Sequence, residues 1–196
     1  MRASSRPPTP SHPSTDLLGN LAPGSAAQFA ALAAAGDLDG TLFHKVFPGR
    51  FISGGRQGPR RMGGVAPTTP LPPNPDLTAS AAFAGRHLRP GTVSLAVAAA
   101  DDDPVVRARP GYRPAGFNIT TGPGPVPALD GGNVVFGRVA AGLEVVNGIA
   151  ALPALGPTPG PFNALASAIG DDRAAKARAR FGQPLRLVVI TKAGLC

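Results

Sequence analysis

Side chains that commonly act in catalysis or metal binding are few in this sequence, and their spacing forms no recognisable reactive site. Three adjacent carboxylates, Asp101–Asp103, stand directly before a proline, where a solvated turn is favoured over a cation site. The single cysteine, Cys196, can form neither an internal disulfide nor a multi-cysteine metal site. No metal-ligand spacing relates the three histidines, His12, His44 and His87. The sequence therefore predicts no metal and no cofactor.

The length and composition indicate one globular domain. The chain has 196 residues, of which 43% are apolar, enough to form a core. Its 26 glycines and 24 prolines favour turns and short helices over long ones. No apolar run approaches the roughly 18 residues that a membrane-spanning helix needs, so no membrane span is predicted.

The first residues differ in character from the rest. Residues 1–15 contain arginines, several Ser and Thr, and prolines, and no acidic residue precedes Asp16. This composition fits either an organelle transit segment or a disordered tail with no targeting role. We therefore expect residues 1–15 to form a tail and residues 16–196 to form the domain, with a Pro-rich linker at 153–161 inside it.

Short strands and short helices predict the architecture. Alternation of apolar residues predicts the strands Leu42–Phe47, Phe51–Ile52, Thr92–Val97, Phe117–Thr121, Val134–Val139 and Leu185–Thr191. Helical spacing predicts the helices Gln28–Ala35, with Ser25 as its cap, Leu143–Ile149, and a third that begins at Asp171. Together with long connections, this order fits a small closed β-barrel capped by helices better than repeated βαβ units.

An ordered succession of motifs gives the chain a family resemblance. The first is Phe43–Gly49, with the sequence Phe-His-Lys-Val-Phe-Pro-Gly, which a pair of glycines soon follows. The later motifs are, in order, Gly91–Ala96, Phe117–Thr121, Leu129–Gly131 and Val135–Val139. From about Ala22 to Leu152 the chain resembles the cyclophilin family of peptidyl-prolyl cis-trans isomerases. From Phe162 onward it is similar to the divergent cyclophilins of the chloroplast thylakoid lumen in plants and green algae.

The resemblance implies a mostly β, cyclophilin-like fold, in which short helices cap a closed antiparallel β-barrel. Family members begin with a strand pair before the first helix, whereas this chain offers only Leu17–Gly19 there. We therefore expect the first strand pair to be missing, which would leave unpaired backbone groups at an edge. Three explanations stay open: an incomplete gene sequence, compensation by the strand Leu185–Thr191, or a partner that covers the edge.

The resemblance also implies a reaction, which is rotation about the amide bond that precedes a proline. Its barrier is about 20 kcal/mol because resonance is lost as the bond twists. A catalyst lowers this barrier by holding the prolyl ring in an apolar pocket and by donating a hydrogen bond to the twisted nitrogen. In the family an arginine supplies the donor, aromatic and Met side chains line the pocket, and Gln and Asn orient the peptide.

Most of these side chains are replaced in this sequence. Lys45 stands where the resemblance places the arginine, and a lysine lacks the guanidinium fork, so we expect a degraded catalytic donor. Arg50 stands at one position of a pocket phenylalanine, and Ala128 at that of a tryptophan or other large residue. By the same resemblance, the substrate-binding positions are Phe51, Ser53, Ala96, Asn118, Leu129 and Asn133.

Three functions are consistent with this sequence. The first is a cyclophilin-type isomerase with a degenerate active site and weak or no activity, which acts on Pro-containing segments in protein folding or assembly. The second is a non-catalytic factor that binds a protein partner in a plastid complex. The third is a basic nucleic-acid-associated protein, suggested by the net charge of +8 and disfavoured by a single Tyr and no Trp. We expect the first, in the chloroplast and more narrowly in the thylakoid lumen.

Overall fold

The structure is a computed structural model that describes residues 12–55, 72, 74–97, 116–156 and 180–195. Within these residues the strands and α-helices are β1 (Ser14–Leu17), α1 (Pro23–Ala35), β2 (Lys45–Phe47), β3 (Phe51–Gly54), β4 (Thr92–Leu95), β5 (Phe117–Thr120), β6 (Val134–Ala141) and α2 (Leu143–Ala150). The connections contain the 3₁₀ helices Pro75–Leu77, Ser80–Ala84 and Pro127–Leu129. Strands β2 to β6 and helix α2 lie close to where apolar spacing predicts them, whereas β1 was not predicted.

The six strands form one antiparallel sheet in the order β1-β6-β4-β5-β3-β2. Among the described residues, β1 and β2 are the two edges of this sheet and do not pair with each other. The mostly β architecture with short helices is therefore confirmed, whereas closure into a barrel is not. β1 precedes α1, so one strand occupies the region from which a strand pair was expected to be missing.

The predicted closing strand Leu185–Thr191 is not a regular strand. Scattered backbone hydrogen bonds and one isolated bridge, between Leu42 and Val189, join this segment to the residues before β2. At Leu185 the backbone N–H donates instead to the carbonyl of Pro153, 2.9 Å away, and the proline before Leu185 has no N–H to donate. The prediction is wrong because the segment changes partner and no continuous ladder forms.

Helix α1 begins five residues before the predicted start at Gln28. Pro23 opens it, since the fixed φ of proline suits a first helical turn, and Gly36 ends it in the left-handed region at φ +74°. Ser25 lies inside the first turn, where its backbone N–H donates to the carboxylate of Asp76 at 2.7 Å. The predicted Ser25 cap is therefore wrong, because an acidic side chain from a later connection satisfies this end of the helix.

The core lies between one face of the sheet and α1. Alternate strand residues face it and are buried, namely Val46, Ile52, Val93, Leu95, Phe117, Ile119, Val134 and Phe136. The ring of Phe29 on α1 packs between two of them, with ring centroids 5.4 Å from Phe117 and 4.9 Å from Phe136. This packing fixes the strands, and thereby the side chains on their other face.

Several sequence predictions lie outside the described residues. These are the tail up to residue 11, the aspartate triplet, most of the connection from residue 56 to 73, part of the Pro-rich linker, and nearly all of the helix that begins at Asp171. In the part of the chain that the structure describes, no helix has the length and apolarity to cross a membrane. The same residues contain no group of three His, Cys, Asp or Glu that could hold a metal ion.

Candidate functional site

A row of polar side chains crosses four strands on the face of the sheet opposite the core. Residues that pair directly across antiparallel strands share a face. The register pairs Lys45 of β2 with Ser53 of β3. It also pairs Ser53 with Asn118 of β5, and Asn118 with Ser94 of β4. We call these four residues the polar row, and the face that carries them the site face.

Hydrogen bonds join three predicted site residues, which come from three separate motifs, into one chain. Ser53 Oγ donates to Asn118 Oδ1 at 2.6 Å, and Asn118 Nδ2 donates to Asn133 Oδ1 at 3.4 Å. Asn133 Nδ2 then donates to the backbone carbonyl of Leu129 at 2.9 Å. All four residues are buried. Much of the hydrogen-bonding capacity of these side chains is therefore used inside the protein.

The two remaining predicted residues, Phe51 and Ala96, lie on the site face on opposite sides of the polar row. Phe51 is two residues before Ser53 in β3 and pairs with Phe47 of β2. Ala96 follows β4, and its backbone N–H donates to the carbonyl of Gly116 at 2.9 Å. Side chains alternate with period two along a strand, so both share the face of the polar row. The structure therefore places Lys45, Phe51, Ser53 and Asn118 on one face of paired strands. Hydrogen bonds join Asn133 and the backbone of Leu129 to this group, and Ala96 lies directly after β4.

The turn that carries Leu129 is held in place through Asp130. Asp130 Oδ1 accepts hydrogen bonds from the backbone N–H and the ring Nδ1 of His87, each at 2.8 Å. The guanidinium of Arg86 lies 3.8 Å from Asp130 Oδ2. Burial alone would raise the pKa of Asp130, but the hydrogen bonds to His87 and the charges of His87 and Arg86 outweigh it, and the pKa is lowered. We call this contact the His87–Asp130 clamp.

The chemistry available on this face is that of hydrogen bonding. Hydroxyl and amide groups are joined to each other, and Lys45 adds a cation at one end of the row. The hydroxyl of Ser53 donates to an amide oxygen and not to a general base, which covalent catalysis by a serine would require. Such a set of groups can bind and orient a peptide through hydrogen bonds, without forming a covalent bond to it.

Three features of this region are absent from the sequence prediction. The first is Phe47, which lies on the site face; its spacing of two residues from Lys45 could have indicated this. The second is Phe181, whose ring centroid is 5.2 Å from that of Phe47. The two residues are far apart in the sequence, so no local pattern indicates this contact. The third is the His87–Asp130 clamp, whose two residues are 43 positions apart in the sequence.

Comparisons with known proteins agree with the resemblance of the motifs. Residues 14–162 match the family described as cyclophilin type peptidyl-prolyl cis-trans isomerase/CLD. The chain is 44% identical over 163 residues to the peptidyl-prolyl cis-trans isomerase CYP28, chloroplastic, of Arabidopsis thaliana. The matched region covers 79% of this chain and 57% of that relative, so the chain spans little more than half the length of the relative.

A solved structure shares the fold. It is a cyclophilin type peptidyl-prolyl cis-trans isomerase of Cryptosporidium parvum, crystallised in the presence of the dipeptide Ala-Pro. It matches with a TM-score of 0.57 and 20% sequence identity, over 94% of this chain and 92% of that one. At this identity the likeness concerns the fold alone. Because the family match extends over more than half of the sequence, the chain belongs to the cyclophilin-type peptidyl-prolyl cis-trans isomerase family.

Proposed function

We propose that this protein binds Pro-containing segments of polypeptides on the site face and has weak or no isomerase activity. It then acts in protein folding or assembly rather than as an efficient catalyst. The observation that supports this most is the hydrogen-bonded chain from Ser53 to Leu129, which stands where the family resemblance implies a prolyl pocket. In this proposal Lys45 is a degraded donor, and the peptide contacts are Phe51, Ser53, Ala96, Asn118, Leu129 and Asn133.

The residues that line the site favour only weak binding of a prolyl ring. A ring gains binding energy by burying apolar surface, at about 25 cal/mol per Å². Asn118 and Asn133 instead present side-chain amide groups that are hydrogen-bonded to each other. Breaking such a bond without replacing it costs about 1–3 kcal/mol. Ala128, which is exposed, adds little apolar surface beside them.

The replacement of the catalytic arginine by Lys45 favours only a small increase in the rate of isomerisation. Catalysis of the rotation requires a hydrogen bond that is stronger to the twisted amide than to the planar one. Lys45 carries a point charge on a flexible stem, and it stands on the edge strand β2, where its side chain is only partly buried. A guanidinium would present several N–H groups in a fixed plane. We infer that the single ammonium group of Lys45 favours the twisted state less strongly than a guanidinium would.

A purely non-catalytic assembly factor is the second candidate, and the same hydrogen-bonded chain favours it. If the ring pocket is filled by amide groups, the protein keeps only the ability to bind. The chloroplastic relative supports a location in the chloroplast for this chain as well. We propose the thylakoid lumen as the narrower location, because the residues from Phe162 onward resemble those of cyclophilins there.

Relaxation of a Pro-containing tetrapeptide from cis to trans tests the proposed activity. We expect micromolar protein to raise the relaxation rate less than about twofold over the spontaneous process, because both the donor and the ring pocket are replaced. An active cyclophilin in the same assay is the positive control, and the Lys45→Ala variant is the matched control. A larger acceleration that the Lys45→Ala substitution removes would contradict the proposal.

A further inference from the structure

Three phenylalanine rings form a continuous apolar surface beside the polar row. The ring centroid of Phe47 lies 4.7 Å from that of Phe51 and 5.2 Å from that of Phe181. These distances are those of interacting aromatic pairs. We call the three rings the aromatic strip. The strip starts at Phe51, within the candidate site, crosses β2, and ends on the C-terminal segment.

The backbone holds the third ring in this position. The N–H of Val46 donates to the carbonyl of Gly182 at 2.7 Å, which ties the C-terminal segment to β2. Gly182 has a left-handed φ of +79°, and a Cβ built there would lie 3.0 Å from the ring of Phe47. Glycine therefore satisfies both the backbone conformation and the close approach of the ring. The arrangement of the strip depends on the chain turning at this residue.

The strip is more accessible than the three buried members of the polar row. Ser53, Asn118 and Ser94 are buried, whereas Phe47 and Phe51 are partly buried and Phe181 is 36% exposed. An apolar group of a peptide can therefore pack on the strip without breaking the hydrogen bonds of the row. The accessible apolar surface of the site therefore starts at Phe51 and extends away from the polar row to Phe47 and Phe181.

One cation lies against the strip, and two more stand beside its residues in the sequence. The guanidinium carbon of Arg50 lies 6.0 Å from the ring centroid of Phe51. Arg180 directly precedes Phe181, and Lys45 is two residues before Phe47. The sequence contains no Asp or Glu in either residues 42–55 or residues 180–195. A peptide on the strip is therefore favoured when it carries a carboxylate close to its apolar group.

We propose that the aromatic strip is a binding subsite for a prolyl ring with an acidic residue next to it. This inference rests on the proposed function, because it takes the same Pro-containing peptide as the ligand. It names Phe47 and Phe181 as specificity-determining residues, and it makes Asp-Pro and Glu-Pro segments the preferred class of ligand. The prolyl ring stacks on the rings of the strip, and the carboxylate pairs with the neighbouring cations.

Fluorescence anisotropy with labelled hexapeptides tests this subsite. The probe is fluorescein-labelled Ala-Ala-Glu-Pro-Ala-Ala, and the comparison peptides carry lysine for glutamate or alanine for proline. With the full chain, we expect each comparison peptide to bind about tenfold or more weakly than the probe. We expect the Phe181→Ala substitution to weaken binding of the probe about five- to tenfold, through loss of ring stacking.

The Leu187→Ala substitution is the matched control, since Leu187 lies on the same segment and is 77% exposed. It should leave the affinity for the probe unchanged. Circular dichroism checks that each variant is folded, and Phe181→Leu replaces Phe181→Ala if the alanine variant is not. Binding of the probe that is insensitive to both Phe181 substitutions would overturn the subsite but not the proposed function. Absence of binding to any Pro-containing hexapeptide would overturn both.

Discussion

The two faces of the same strands differ in what they require of the sequence. On the core face, Ile52 of β3 pairs with Ile119 of β5, and both are buried among apolar side chains. On the site face, the next pair is Ser53 and Asn118, which is equally buried but joined by a hydrogen bond of 2.6 Å. The first face needs apolar volume, and the second needs particular polar groups in a particular register.

This difference determines which substitutions each face tolerates. A core tolerates exchange among apolar residues of similar volume. On the site face a replacement of an apolar pocket by polar groups is tolerated only if those groups find partners, because a buried group without one destabilises the protein. The chain from Ser53 through Asn118 and Asn133 supplies such partners. The buried polar side chains of the site face therefore form one hydrogen-bonded unit.

Neighbouring substitutions in β3 give the largest expected effect. Ile52→Ala should lower the free energy of unfolding by about 3 kcal/mol, because it leaves a cavity in the core. Ser53→Ala should lower it by only about 1 kcal/mol, because it removes one hydrogen bond and little volume. Urea unfolding followed by circular dichroism measures both, since the chain has no Trp. Equal losses for the two variants would show that the faces do not differ as described.

Most of the fold could be predicted from the sequence, because it depends on local patterns. Alternating apolar residues located β4, β5 and β6, and spacing of three to four residues located α2. The failures are long-range. Nothing near Ser25 indicates that Asp76 would satisfy the first turn of α1, and nothing near Leu185 indicates that Pro153 would take its N–H.

The candidate site could be predicted only in part. The motifs predict that Lys45, Ser53 and Asn118 belong to one site, and in the structure the three residues pair across neighbouring strands. Their mutual hydrogen bonds depend on rotamers, which a sequence does not give. The ring of Phe181 joins the same region from the C-terminal segment through a tertiary contact, which no periodicity indicates.

The central residue of the hydrogen-bonded chain gives the next effect in size. Asn118→Ala should lower the free energy of unfolding by about 2 kcal/mol, because it removes the acceptor of the Ser53 hydroxyl and the donor to Asn133 Oδ1. The double variant Ser53→Ala/Asn118→Ala should lose less than the sum of the two single losses, by about 1 kcal/mol. Strict additivity would mean that the two side chains do not act together, and that the site face is not a unit.

The smallest effect is expected at the His87–Asp130 clamp, and it depends on pH. The pKa of Asp130 is lowered in the folded protein, so its ionised form stabilises the fold above the ordinary pKa of about 3.9. That contribution is lost as the pH falls through the lowered value. Asn at this position cannot ionise. Asp130→Asn should therefore lower the free energy of unfolding by about 1 kcal/mol at pH 7, and the difference from wild type should shrink towards pH 3.

Asp16 provides the matched control for this titration. Its carboxylate lies 3.5 Å from the guanidinium of Arg138, but both side chains are more than half exposed. Solvent screens such a pair, so Asp16→Asn should change the free energy of unfolding by less than about 0.5 kcal/mol at any pH. If the loss in Asp130→Asn were the same at pH 3 and pH 7, the charge of Asp130 would play no part in holding the turn of Leu129. The clamp would then act through the shape of its hydrogen bonds alone, and the site face would keep its geometry in acid.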